Sequence, residues 1–302
     1  MIARGTARVP CDTSGADSRS TRSRGAAGSG RGPYGVPVEV DVLLDPFGTS
    51  WSDLHDSAKA SADAGFAGIW TWDHLDGRVF GEPHVHECWT VLTAIAVEVP
   101  DVLIGPLVLN VANRHPGVLA VMAATLQDVS GGRLLVGLGA GGGADTPYRQ
   151  EQEAIGRAVP SDPVRRGEVE TCVEQVKRLW RSPGFLEPAP DPPFVIGAFG
   201  PKMAELAGRV GDGINTQASH PRLGELLSIA RDACRGAGRD PASFLVTVFT
   251  ALDQRWLTPG SHELRRLTAL GVNRLILYLR PSADRGRIAE AGRMAQRLRA
   301  SE

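Results

Sequence analysis

The sequence predicts an α/β fold, a (β/α)8 TIM barrel with an insertion after strand 4, and three observations lead there. From residue 37 onward, eight short β-branched runs alternate with eight amphipathic stretches, the signature of successive βα units around a parallel sheet. An open doubly wound sheet uses the same units but usually ends after about five to seven strands. Glycine and proline then fall at the ends of the amphipathic stretches, where helices need their stops and starts.

The elements follow in order. Strands are expected at 38–44, 68–72, 102–108, 133–139, 194–199, 213–217, 244–250 and 274–279. Helices are expected at 53–64, 86–97, 116–129, 165–180, 201–210, 222–235, 261–270 and 284–298. Ser52 stands before the first helix, Pro116 suits the first turn of the third, and Gly131-Gly132 and Gly271 act as stops. Segment 141–192 is too long for a plain connection, and is read as one helix with two irregular arms. At the C-terminal face of a strand, such an insertion is a candidate lid or substrate wall.

Residues 1–36 differ from the rest, being dominated by Arg, Ser and Gly, and are read as a disordered leader to the barrel at 37–302. The formal charge of −1 gives no general attraction to nucleic acid or to an anionic membrane. No apolar run reaches membrane-spanning length, and no signal-peptide core is present. Cys11, Cys88, Cys172 and Cys234 form no CxxC pair, which suits a reducing compartment, with the cytoplasm as the expected location.

In a barrel the working face lies at the C-terminal ends of the strands. Asp73 and His74 follow directly on the second strand and are read as site residues; the alternative is a turn cap and a histidine packed on the rim. Asn110 ends the third strand, positioned to hydrogen-bond a ligand, whereas Arg114 and His115 serve either a ligand or the loop itself. The run Gly137-Leu-Gly-Ala-Gly-Gly-Gly143, with Gly139, Ala140 and Gly141 at its centre, lets a flat ligand approach the backbone. It lacks the acidic ribose partner of a dinucleotide fingerprint. Gly197-Ala-Phe-Gly-Pro-Lys-Met203 opens a helix, and a glycine turn feeding free N–H groups, with Lys202 beside it, is either a phosphate site or an ordinary helix start. His84-Val-His86 has the spacing of a metal pair, but Pro83 and the loop before it do not supply the strand such a centre needs, so no metal is expected.

Taken in order, Asp63-Ala-Gly-Phe-Ala-Gly-Ile-Trp70, Asp73-His-Leu75, Glu87-Cys-Trp-Thr90, Asn113-Arg-His-Pro116, the run from Ala123 through Ser130-Gly-Gly-Arg-Leu134, and Gly137-Leu-Gly-Ala-Gly141 resemble the bacterial luciferase-like monooxygenase superfamily. Within it, the chain looks most like the F420-dependent oxidoreductases. The resemblance implies a barrel that holds coenzyme F420, or alternatively FMN, at the strand ends. It implies a ring resting on a bulge with a cis Leu107-Val108 peptide, lined by Gly139 to Gly141 and by Asp73 and Asn110. The phosphate-bearing side would lie on Gly197, Phe199, Gly200, Pro201 and Lys202. His74 is the implied general acid/base, since an imidazole titrates near working pH, and Asp73 would hold the ring edge or orient that imidazole. A homodimer is also implied.

Trp72 stands where relatives often have Ser, Val111-Ala112-Asn113 replaces a usual Asn-Thr-Phe, and Gly142 stands where the sugar-phosphate dehydrogenases carry a glutamate acid. The resemblance therefore does not extend to that substrate, and a second proton donor is sought among Glu82, His84 and His86. Trp72, Phe80 and Trp89 suggest a roomy pocket for a small organic substrate, apolar or ring-containing. The expected function is hydride transfer between the deazaflavin C5 and that substrate. The alternatives are an FMN-dependent monooxygenase using O₂ and a partner reductase, or a non-catalytic barrel that stores the cofactor.

Overall fold

A computed structural model describes residues 38–300, so the leader expected at 1–36 lies outside the described residues. Strands β1 (Glu39–Leu44), β2 (Gly68–Thr71), β3 (Leu103–Pro106), β4 (Leu109–Asn110), β5 (Val136–Gly139), β6 (Phe194–Gly197), β7 (Gly213–Gln217), β8 (Leu245–Ala251) and β9 (Arg274–Leu279) form one parallel sheet. Its order is β3-β2-β1-β9-β8-β7-β6-β5-β4. Helices α1 (Trp51–Asp63), α2 (Cys88–Glu98), α3 (Pro116–Val129), α4 (Arg149–Ala154), α5 (Asp162–Trp180), α6 (Pro201–Val210), α7 (Leu223–Gly236), α8 (His262–Ala269) and α9 (Pro281–Ala300) run between and after the strands.

The count of nine strands against eight expected has a local cause. The third run is interrupted at Leu107-Val108, whose peptide bond is cis as the resemblance implies, so β3 and β4 are two halves of one barrel position. Ile104 N–H donates to the Arg133 carbonyl at 3.0 Å and Leu135 N–H to the Ile104 carbonyl at 2.9 Å, which carries the ladder across to the residues before β5 and nearly closes the barrel. A second difference lies in the insertion, where two helices replace the single one expected. The long α5 packs on α3, with the Trp180 indole donating to the Ala120 carbonyl at 2.9 Å, and serves as the helix of its βα unit. The short α4 is the extra piece. At the first helix the cap is Ser50 rather than Ser52; its side chain accepts the Asp53 N–H at 3.1 Å and α1 begins two residues early.

Two cores result. The larger lies between strands and helices, and includes Trp89, which therefore belongs to packing and not to a substrate wall. The smaller fills the barrel, with Leu43, Trp70, Leu107, Leu135 and Ile276. Below it, the Arg274 guanidinium donates to both oxygens of Asp41 at 2.7 and 2.6 Å, and the Trp70 indole donates to Asp41 at 2.9 Å, so this buried charge is fully partnered.

The glycines of β5 also have a packing explanation. A Cβ on Gly137 would lie 2.0 Å from the Pro106 carbonyl oxygen, and one on Gly139 would lie 2.7 Å from the Val108 side chain. The bulge thus drives Val108 against a floor that only glycine leaves clear. Gly137→Ala is expected to cost about 1–3 kcal/mol through overpacking against backbone, read as a lower urea midpoint with unchanged slope. An unchanged midpoint would mean that the bulge yields freely.

The long motif ending in Ser130-Gly-Gly-Arg133 is likewise architectural. The Arg133 guanidinium donates to the carbonyls of Ala96, Val99, Val102 and Ser130, stitching the end of α2 to the start of β3. Gln127 accepts from Leu134 N–H at 3.0 Å and donates to the Pro190 carbonyl at 2.8 Å, joining α3 to both flanks of its neighbours.

Candidate functional site

A cavity of about 940 Å³ opens at the C-terminal ends of the strands. Its floor is the bulge, Leu107 to Asn110, beside Gly139 to Gly143 and Gly197, and its wall is Phe199 to Met203 at the start of α6. Trp72, His74, Phe80 and Tyr148 form an aromatic cluster in the lining. The residues that the resemblance assigns to the cofactor and to proton transfer, Asp73, His74, Leu107, Val108, Asn110, Gly139, Ala140, Gly141, Gly197, Phe199, Gly200, Pro201 and Lys202, all line this one space.

Their local roles differ. The Asp73 carboxylate is fully buried and spoken for: Arg114 donates to both its oxygens at 2.8 Å, Asn110 N–H donates at 2.9 Å and the Asn113 amide at 3.1 Å. Arg114 also donates to Glu87. Burial works against the Arg114 charge, but the Asp73 hydrogen bond and charge outweigh it and raise its pKa above the ordinary range. Of the two readings open for Arg114 and His115, the structural one fits, since His115 accepts the Gly117 N–H at 3.1 Å and caps α3. The Asn110 side-chain oxygen accepts the Ala112 N–H at 3.0 Å, and the Asn110 amide group sits where a Cβ on Gly141 would fall. That neighbour and a φ of +68° explain the glycine at 141.

His74 is held differently. Its ring lies among Phe47, Phe80 and Tyr148, with centroids 5.2, 5.4 and 5.3 Å away. Its Nδ1 is 3.1 and 3.0 Å from the two carboxylate oxygens of Glu151. Among the described residues its Nε2 makes no hydrogen bond. Glu151 comes from α4 and is 4% exposed. Glu151 has no mark in the sequence as a site residue, because the position immediately after the strand is Gly142 and α4 falls in a stretch expected as an irregular arm. The available signal was local: Arg149-Gln-Glu-Gln-Glu-Ala154 is a run of good helix formers. The residues suggested as second proton donors lie elsewhere. His84 and His86 both direct Nε2 to the Thr49 carbonyl, at 3.1 and 3.0 Å, and with Glu82 they stay outside the cavity lining.

The α6 end of the cavity is cationic. Gly200 caps α6 without any side-chain cap, and Lys202, Arg165 and Arg166 line the space beside it. Arg165 is pinned by the Ala140 and Gly141 carbonyls and by Asp162. Among the described residues no group of three His, Cys, Asp or Glu side chains is placed to hold a metal ion, and no helix is long and apolar enough to cross a membrane.

Known proteins resemble this chain in both sequence and fold. It is 31% identical over 203 residues to the 5,10-methylenetetrahydromethanopterin reductase of Methanolobus tindarius, covering 64% of this chain and 58% of the reductase. It is 27% identical over 259 residues to the F420-dependent hydroxymycolic acid dehydrogenase of Mycobacterium tuberculosis, covering 80% of this chain and 70% of that protein. The match thus spans about three fifths of the length of the first of these relatives. A solved F420-dependent secondary alcohol dehydrogenase, in complex with an F420-acetone adduct, superposes with a TM-score of 0.75 at 19% identity, over 87% of this chain and 99% of that one, a likeness of fold. The model of the luciferase-like monooxygenase family matches residues 24–255, and the chain belongs to that family.

Proposed function

We propose that this chain is an F420-dependent oxidoreductase that transfers a hydride between the deazaflavin C5 and a small organic substrate. The observation that carries the reading is the meeting of three features in one cavity: a floor of small residues packed against the bulge, a cationic end at α6, and the His74 imidazole, whose Nε2 is unengaged among the described residues. F420-dependent enzymes among the relatives support it.

The residues fit such a cofactor. A planar ring needs a floor without long side chains, which Gly139, Ala140, Gly141 and Gly197 provide, with Val108 and the Asn110 amide packed into the clearance the glycines leave. A Cβ on Gly200 would meet nothing within 4 Å, so the cavity is open at the helix start, where Lys202 and Arg166 offer positive charge to an anionic group. Coenzyme F420 supplies a two-electron hydride donor or acceptor when bound. His74 then holds or takes the proton that must accompany hydride movement at a carbon bearing oxygen or nitrogen. Asp73 acts through position, fixing the bulge and the Arg114 loop. Trp72 and Phe80, stacked at 5.8 Å, favour an apolar or ring-containing substrate on the His74 side.

Equilibrium binding of the purified chain to oxidised F420 and, separately, to FMN tests the cofactor. F420 is expected to bind at least about tenfold more tightly, a difference of about 1.4 kcal/mol. Preference for FMN would overturn the assignment in favour of oxygen-consuming chemistry.

A further inference from the structure

We infer that Glu151, carried by the insertion and not by the barrel, is the positioning residue that selects the tautomer of His74 and so decides which ring nitrogen serves the bound ligand. The inference rests on the reading of His74 as the proton-transfer group.

Glu151 is buried beneath the rim and spends both oxygens on one corner of the site. Besides His74 Nδ1, it accepts the Leu75 N–H at 2.8 Å and the Asp76 N–H at 3.1 Å. Burial opposes its ionisation, but the His74 hydrogen bond and charge, together with those two N–H groups, hold the carboxyl below its ordinary range. An ionised carboxylate only accepts hydrogen bonds, so Nδ1 must be the donor. In the neutral ring the lone pair then sits on Nε2, the nitrogen with no protein partner among the described residues. Phe47, Phe80 and Tyr148 confine the ring plane, which leaves the tautomer as the property Glu151 controls.

The delivery of Glu151 is itself built. A six-residue helix is too short to stand alone, so α4 needs a tertiary anchor. The adjacent Gln152 supplies it, donating to the Asn113 side-chain oxygen at 2.8 Å, and Asn113 donates in turn to Asp73. Asp73 and Glu151 therefore hold opposite ends of one network, and the insertion reaches the reacting side of the cavity through it.

A merely structural Glu151 would staple the Leu75-Asp76 backbone and do nothing else, and glutamine separates the two roles. Glu151→Gln keeps an oxygen for both N–H groups but loses the charge, and its amide is able to donate to Nδ1. The test uses the full chain with 15N-labelled histidine, reading the His74 ring shifts with and without F420, alongside F420 affinity, kcat and KM. In the wild type the neutral ring is expected to carry its proton on Nδ1. In Glu151→Gln that population is expected to fall and kcat to drop by at least about tenfold, with F420 affinity and KM changed less than about threefold. A wild-type proton on Nε2, or a glutamine variant with unaltered tautomer and kcat, would overturn the inference. If F420 fails to bind, the proposed function fails by itself, and the ring shifts of the ligand-free chain still uphold or overturn the tautomer assignment.

Discussion

Replacing His74 by alanine is expected to lower turnover by about 10²–10⁴-fold, the usual worth of a positioned general acid or base. Binding of F420 is expected to weaken by less than about tenfold. The split follows from the geometry: the floor and the cationic end belong to Val108, the glycines and the α6 start, whereas His74 belongs to the aromatic cluster with Phe80 and Tyr148. Because alanine also leaves a gap among Phe47, Phe80 and Tyr148, His74→Gln serves as a companion that keeps most of the volume. Steady-state turnover with fluorescence-monitored F420 binding reads both quantities. Turnover retained in both variants would remove His74 from the chemistry.

Arg114→Leu is expected to destabilise the barrel by about 3–5 kcal/mol, since it strands the Asp73 carboxylate without its bidentate partner. The Asp73 side chain is 0% exposed and that of Arg114 only 11%, so water does little to screen the loss. The double variant Asp73→Leu with Arg114→Leu is expected to recover part of the stability, because no charge is then left unpaired although the Asn110 N–H and the Asn113 amide lose their acceptor, and F420 binding is expected to weaken as the bulge loses that tie. Urea unfolding of the two variants decides the matter. A loss below about 1 kcal/mol in the single variant would mean that the pair behaves as an exposed ion pair does.

Several residues that line the cavity were legible in the sequence because strand ends are. Asp73 and His74 follow a short apolar run, and a barrel sends whatever follows its strands to the working face. Pro201 and Lys202 were marked by the glycine turn before a helix of clear periodicity, and α6 begins at Pro201 as expected. Other assignments changed on contact with the fold. The Gly137 to Gly143 run reads as room for a ligand, and at Gly137 and Gly139 it first makes room for Pro106 and Val108. The pair His84 and His86 reads as a source of protons, and both rings are spent on one carbonyl.

By itself the sequence determined the alternation of strands and helices, and with it the barrel and the end at which a site must lie, because periodicity, caps and glycine stops act over a few residues. Only the tertiary structure decided that Glu151, 77 positions from His74, closes on its imidazole, and that Arg114, 41 positions from Asp73, takes up its carboxylate. Those partners meet because the barrel closes and the insertion folds back over its rim, and no local pattern records which of many carboxylates that closure will bring to a given ring.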